Sequence, residues 1–149
     1  MRAGAEVIVE RPLEVVWNWA ADPRNWERWL DGVHDVRLEG RLAQGARVMS
    51  AYDYGGRSHE FVYEISERTV PRRQLVRSLS GPFAFEGLLE LSEAPGGTRV
   101  RQTVDAGADG ALTRVLFAAG GPLLRRAMRR RVRQQLERLR TEIELTGAN

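Results

Sequence analysis

The sequence contains no cysteine, which excludes disulfide bonds, thiolate metal sites and cysteine nucleophiles together. No stretch approaches the roughly 18 uninterrupted apolar residues that a membrane-spanning helix needs. The segment from Met1 to Glu10 also lacks the apolar run of about 7 to 15 residues that marks a signal peptide. These absences predict a soluble, unexported protein, and a reducing cytoplasmic setting fits them.

Lysine is absent as well, so all 23 basic residues are arginine and the net charge of +3 rests on guanidinium groups. We interpret this mainly as compositional bias of the source genome. Eight of the arginines nevertheless lie between Arg125 and Arg140, where Glu137 is the single acidic residue. That local excess needs a separate explanation.

The length of 149 residues predicts one domain over residues 1–149. A domain of this size buries roughly 68 to 70% of its unfolded surface, which is enough for a hydrophobic core. Apolar residues make up 42% of the chain and charged residues 29%, and both values are typical of globular proteins. Disorder is therefore not expected.

The N-terminal region predicts one strand followed by two short helices. The strand covers Ala5–Glu10 and ends at Arg11-Pro12, because proline favours the first turn of a helix. The apolar residues that recur at helical spacing are Leu13, Val16, Trp17 and Ala20. Asp22-Pro23 then begins a second short helical segment, which carries Trp26 and Trp29.

After Asp31-Gly32 the pattern alternates between apolar and polar residues and is interrupted by turn signals, as in antiparallel hairpins. The pair Gly55-Gly56 predicts a two-residue hairpin turn, because both positions can adopt positive φ. We predict strands near His34–Glu39, Arg47–Tyr54, Arg57–Arg68, Gln74–Ser80, Phe83–Glu93 and Thr98–Asp105.

The C-terminal region predicts a long amphipathic helix. Asp109 is a candidate N-cap for a helix over Gly110–Ala119, and Gly120-Gly121-Pro122 should kink or divide it before it resumes to about Leu145. The apolar stripe of this helix is Leu124, Met128, Val132, Leu136, Leu139 and Ile143. This stripe predicts burial of one helix face against the sheet.

Four segments, Ile8–Trp17, Asp22–Trp29, Val70–Leu75 and Gly96–Val100, resemble the START-like superfamily in its polyketide cyclase/dehydrase and lipid-transport branch. The resemblance implies an α+β helix-grip fold, in which a curved antiparallel sheet of about seven strands wraps a long C-terminal helix. It also implies a ligand cavity between sheet and helix. Members bind lipids, hormones, sterols or polyketides, and some catalyse cyclisation or dehydration, so the fold alone does not select a function.

Strand alternation predicts which side chains face this cavity. The predicted inward set is Val48, Ser50, Tyr52, Tyr54, His59, Phe61, Tyr63, Ile65, Leu75, Arg77, Leu79, Phe85, Gly87, Leu89, Leu91, Val100, Gln102 and Val104. Many of these residues carry polar groups, and an unpaired buried hydroxyl or amide costs about 1 to 3 kcal/mol. A wet or ligand-filled cavity explains them better than a closed core does.

The candidate catalytic residues are His59, Tyr63 and Arg77. A histidine titrates near pH 6.5 and could relay a proton, while a tyrosine polarises a carbonyl and an arginine holds a carbonyl or carboxylate. Two alternatives stay open: a β-bulge could turn Arg77 to solvent, and His59 could be an inert residue near a hairpin end. The candidate ligand-binding residues are Trp29, Ser50, Tyr52, Tyr54, Phe61, Phe85, Gln102, Val104 and Leu116.

The sequence favours an internal site for an apolar or amphipathic small molecule, polyketide- or lipid-like. The alternative is a cyclase or dehydratase that uses His59 and a tyrosine. A weaker alternative is macromolecular or membrane contact through the arginine-rich face of the last helix, although a solvated face explains these charges as well. No metal or nucleotide motif is present, so no cofactor and no nucleic acid are expected, and the oligomeric state stays open.

Overall fold

A computed structural model describes residues 2–107 and 111–146, with the backbone alone for residues 111–120. Within them, one antiparallel sheet has seven strands in the order β1-β7-β6-β5-β4-β3-β2. The strands are β1 Arg2–Val9, β2 Val33–Glu39, β3 Arg47–Tyr54, β4 Arg57–Thr69, β5 Arg73–Ser80, β6 Phe85–Ala94 and β7 Gly97–Ala106. The helices are α1 Leu13–Ala20, a 3₁₀ turn Pro23–Asn25, α2 Trp26–Trp29 and α3 Ala111–Leu145.

The connections follow the local sequence signals. Gly55 and Gly56 have φ angles of 62° and 77° and close the hairpin between β3 and β4, as predicted. Pro12 precedes α1 in an extended conformation. Asp22 accepts a hydrogen bond from the Arg24 backbone amide at 3.0 Å and so begins the short helical segment after α1.

The α3 helix continues through Gly120-Gly121-Pro122, so the expected division at this point is wrong. The candidate cap Asp109 lies outside the described residues. The second half of α3 packs against the sheet and α1, since Val132, Leu136, Leu139 and Ile143 are all at most 2% exposed. The section from residue 121 to 131 is different, because its side chains are exposed apart from a partly buried Met128 and Gly121.

The face assignment was correct for β3, β6 and β7 but wrong for β5. Gln74 and Val76 are buried there, while Arg77 and Leu79 point outward. The β4–β5 ladder is irregular, with Ile65 opposite Val76 but Glu67 opposite Leu75. The apolar Leu79 lies on the outer face and the polar Gln74 on the inner face. The assumption that apolar residues of β5 point inward therefore assigned its side chains to the wrong faces.

Candidate functional site

A cavity of about 490 Å³ lies between the inner face of the sheet, α2 and the exposed section of α3. Two tryptophans of α2, Trp26 and Trp29, lie on one side of it. The strands and the loop before β6 contribute Tyr52, Tyr54, Phe61, Tyr63, Phe83, Phe85, Gly87, Leu89, Gln102 and Val104, and α3 contributes Leu124, Ala127, Met128, Arg131, Val132 and Gln135. The lining is mostly apolar with a few polar groups, which is typical of small-molecule sites.

Aromatic rings form the sheet side of the cavity. Phe61 and Tyr63 are two residues apart on β4 and therefore share a face, where their rings stack with centroids 5.2 Å apart and planes 9° from parallel. Phe83 and Tyr52 meet Phe61 edge-on at 5.2 and 5.7 Å. Trp26 meets Tyr63 edge-on at 5.5 Å. These offset and edge contacts are the favoured arrangements of aromatic pairs, so they hold the wall in a defined shape.

Several buried polar groups lie at this wall. Gln74 is satisfied, because its Nε2 donates to the Ala21 carbonyl at 3.0 Å and its Oε1 accepts from the Arg68 guanidinium. Trp29 Nε1 and Gln102 Oε1, by contrast, have no hydrogen-bond partner among the described residues. Both atoms are themselves buried, so a ligand in the cavity would reach them only after neighbouring side chains shift.

Burial raises the pKa of Tyr63 far above its ordinary value of 10. The Ser50 hydroxyl opposes this rise in the pKa of Tyr63 only in part. It is buried and makes no hydrogen bond of standard geometry among the described residues. The Tyr63 hydroxyl therefore stays protonated and can donate a hydrogen bond to a carbonyl oxygen.

Charged groups meet where α2 ends beside α3. The Asp31 backbone amide donates to Gln135 Oε1 at 2.8 Å, and Arg138 Nη1 donates to Asp31 Oδ1 at 2.7 Å. Arg131 lies on the cavity side of this group, with its guanidinium carbon 6.0 Å from the Tyr52 ring centroid. Its Nη2 donates to the Asp31 carbonyl at 3.2 Å.

Comparison with known proteins identifies the family. The model of the family described as polyketide cyclase/dehydrase and lipid transport matches residues 2–144. The chain belongs to this family. The START-like assignment and the α+β helix-grip fold predicted from the sequence are thereby confirmed.

Solved structures agree with this family fold at low sequence identity. TTHA0849 from Thermus thermophilus is 20% identical, with a TM-score of 0.79 and 99% of each chain covered. The AHSA1-like protein from Aeromonas hydrophila is 22% identical, with a TM-score of 0.65 over 100% of this chain and 96% of that one. The di-domain ARO/CYC BexL of the BE-7585A biosynthetic pathway is 17% identical, with a TM-score of 0.67, 97% of this chain and 50% of its own covered. No curated protein sequence matches.

The structure of this family member brings most of the predicted ligand-binding residues together. Seven of the nine predicted ligand-binding residues line the cavity: Trp29, Tyr52, Tyr54, Phe61, Phe85, Gln102 and Val104. Ser50 is fully buried behind them rather than part of the lining. The side chain of Leu116 lies outside the described residues.

Two of the three candidate catalytic residues lie elsewhere. Arg77 faces outward and its Nε donates to Glu86 Oε1 at 3.2 Å across the β5–β6 ladder, so its predicted inward orientation is wrong. His59 lies two residues nearer the hairpin tip than Phe61 and is not part of the lining. Its Nε2 is 3.1 Å from the Tyr54 carbonyl. Only Tyr63 of the three reaches the cavity.

Sequence reasoning placed α3 beside this family member's cavity but did not single out Arg131 as part of the lining. Arg131 follows Leu124 by seven residues and Met128 by three, so these residues share a helix face. That spacing was the available signal. Arg131 was nevertheless not named as a candidate, because its charge excludes it from the apolar stripe that defined the inward face of the helix.

Four other arginines of α3 form a surface that we call the arginine face: Arg125, Arg126, Arg129 and Arg130. All four are exposed and make no ion pair within the described part of the chain. Leu123 and Leu124 adjoin them and are 74% and 40% exposed. None of the described helices is both long and apolar enough to cross a membrane.

A second polar cluster lies away from the cavity, at the edge formed by β2 and β3. His34 Nδ1 is 2.9 Å from Asp35 Oδ2, and its Nε2 is 2.9 Å from Asp53 Oδ1. Hydrogen bonds to the two carboxylates raise the pKa of His34 above 6.5, and the bond to Asp53 makes the largest contribution. Within residues 2–107 and 111–146, no group of three or more His, Asp or Glu side chains is arranged so that it could hold a metal ion.

Proposed function

We propose that this protein binds an apolar or amphipathic small molecule, polyketide- or lipid-like, in the cavity between sheet and α3. The observation that carries the proposal is a cavity of about 490 Å³ with an aromatic wall. That volume lies in the range of roughly 300 to 1,000 Å³ typical of ligand pockets. The family description, which includes lipid transport, supports the same class of ligand.

Affinity would come from apolar burial and orientation from the few polar groups. Each Å² of apolar ligand surface removed from water contributes about 25 cal/mol, and the rings of Phe61, Phe83 and Phe85 offer such a surface. The Tyr63 hydroxyl can donate a hydrogen bond to a ligand oxygen.

The test uses the uncharged fluorescent probe N-phenyl-1-naphthylamine. We expect saturable binding to the wild-type protein and a loss of about tenfold or more in Val104→Phe, because the added ring overpacks the cavity. Thr103→Phe adds the same ring on the opposite face of β7 and is the matched control. Met128→Trp fills the cavity from α3 and should lower probe affinity in the same way, so it replaces Val104→Phe if that variant folds poorly. Equal probe affinity in all these variants would refute the proposal.

The enzymatic alternative, a cyclase or dehydratase, requires acid–base groups around one ligand. Of His59, Tyr63 and Arg77, only Tyr63 lines the cavity. Arg77 is engaged by Glu86 on the other face of the sheet. The geometry therefore favours binding over acid–base catalysis by these three residues.

We also propose transient contact of the arginine face with anionic membrane surfaces, during ligand exchange. Exposed leucines beside unpaired arginines match a lipid surface in both apolar and charged character. Each basic residue near an anionic surface contributes about 1 kcal/mol. The same section of α3 forms one cavity wall, so docking would occur beside the site.

Vesicle flotation tests this second proposal. We expect binding to vesicles that contain phosphatidylglycerol, weaker binding at high salt, and none to pure phosphatidylcholine. Replacing Arg126, Arg129 and Arg130 together with Gln should abolish flotation, whereas replacing Arg99, Arg101 and Arg57 on the sheet should not. Flotation that is unchanged by the first triple variant, or salt-sensitive retention on RNA alone, would contradict membrane contact.

A further inference from the structure

Asp31 is shared unequally between two arginines. Arg138 Nη1 donates to Asp31 Oδ1 at 2.7 Å, whereas Arg131 Nε is 3.8 Å from Oδ2. The remaining contact of Arg131 with Asp31 is to the backbone carbonyl, which carries no net charge. Two guanidinium groups thus meet one carboxylate, and the shorter contact belongs to Arg138. The group has one positive charge in excess, and it resides on Arg131.

This excess charge lies at the cavity. Arg131 and Asp31 both belong to the lining, and Arg138 does not. No carboxylate other than Asp31 pairs with Arg131 within the described residues. The side chain of Arg131 is 46% exposed, so its donors can reach a ligand group at the mouth without moving into the apolar interior. Its guanidinium also lies near the Tyr52 ring, which limits its orientation.

We infer that the ligand is an amphipathic anion whose carboxylate, or an equivalent singly charged acid group, is bound by Arg131 at the mouth of the cavity. The inference rests on the proposed binding function and specifies its ligand class. Guanidinium donors bind planar acid groups in a bidentate manner, and such bonds are stronger than neutral ones. The apolar body of the same ligand then lies along the aromatic wall.

A matched pair of probes separates the charge from the apolar body. N-phenyl-1-naphthylamine and 1-anilinonaphthalene-8-sulfonate share the same ring system, and only the second carries an acid group. We expect the sulfonate to bind about tenfold more tightly, since a hydrogen bond to a charged group contributes roughly tenfold or more in affinity. Mutual competition between the probes, followed by fluorescence, places both in one cavity.

Charge variants at two positions of α3, residues 131 and 133, complete the test. In Arg131→Gln we expect sulfonate affinity to fall about tenfold and neutral-probe affinity to fall much less, because only the sulfonate loses a charged hydrogen-bond partner. Arg133→Gln removes the same charge from an exposed residue outside the lining and should leave both affinities as in wild type. Arg131→Lys should recover only part of the sulfonate affinity, because it keeps the charge but not the paired donors of the guanidinium.

The outcomes distinguish this inference from the function on which it rests. Competing binding of both probes with equal affinity, or an equal loss of sulfonate binding in Arg131→Gln and Arg133→Gln, would overturn the anion assignment and leave the cavity function standing. Failure of the wild-type protein to bind either probe would overturn both.

Discussion

Gln74 on β5 and Ala21 at the end of α1 are joined by a side-chain hydrogen bond of 3.0 Å, with both residues at most 2% exposed. The bond fixes the helical segment that leads to Trp26 and Trp29 against the sheet. We expect Gln74→Ala to lower the free energy of unfolding by about 1 to 3 kcal/mol, because it leaves a buried carbonyl without its donor. Urea unfolding measures this, and Gln134→Ala on the exposed side of α3 should change stability little. A loss in Gln74→Ala no larger than in that control would contradict the role.

Arg68 adds a further hydrogen bond to the Gln74 side chain. Its guanidinium donates to Gln74 Oε1 and lies over the Trp17 ring, 5.2 Å from the centroid. In a double-mutant cycle with Arg68→Met and Gln74→Ala, we expect a coupling free energy of about 0.5 to 3 kcal/mol, since the two side chains share one network. Arg68→Met combined with Gln134→Ala should give additive losses. Additivity in both cycles would show that Arg68 and Gln74 act independently.

Two glycine-to-alanine changes should act in opposite directions. A Cβ on Gly97 would lie 2.0 Å from the Val9 carbonyl oxygen, so Gly97→Ala must shift backbone and should cost about 2 to 3 kcal/mol. A Cβ on Gly121 would meet no atom of the described residues within 4 Å. Gly121→Ala should therefore stabilise α3 by about 0.5 to 1 kcal/mol. Thermal unfolding of both variants checks the signs, and a destabilised Gly121→Ala would show a packing role for that glycine.

The cluster around His34 predicts a pH dependence. Its pKa is raised above 6.5 in the folded protein, so the ion pairs with Asp53 and Asp35 stabilise fully below pH 6.5. That contribution is lost as the pH rises through the folded-state pKa. The stability advantage of wild type over His34→Gln should accordingly shrink between pH 6 and pH 9, as urea unfolding at each pH would show.

Proton NMR of the His34 ring tests the cause directly. Asp53→Asn should lower the pKa of His34 toward 6.5, because the largest contribution to its shift is removed. Glu39→Gln, an exposed change on the same strand that makes no contact with the ring, should leave the titration unaltered. An unaltered titration in Asp53→Asn would mean that the carboxylate does not hold the imidazolium.

The order of elements and most inward faces could be predicted from sequence because their signals are local. The glycine pair at 55–56, the proline before α1 and the alternation Phe61–Tyr63–Ile65 each depend on neighbouring residues alone. The orientation of Arg77 stayed open in the sequence, because the apolar Leu75 and Leu79 favour the parity opposite to the one that β5 adopts. The role of Arg131 depends on its placement beside Asp31, which lies 100 residues earlier.

The unequal burial along α3 divides one helix into two regions of different local stability. From Val132 onward it is anchored in the core, while the turns that carry Leu124 and Met128 rest against little besides the cavity itself. Amide protons of residues 121–131 should then exchange with solvent faster than those of 132–145, within a single uninterrupted helix. A ligand that packs against Leu124 and Met128 would stabilise these turns, so its binding should slow the exchange of their amide protons.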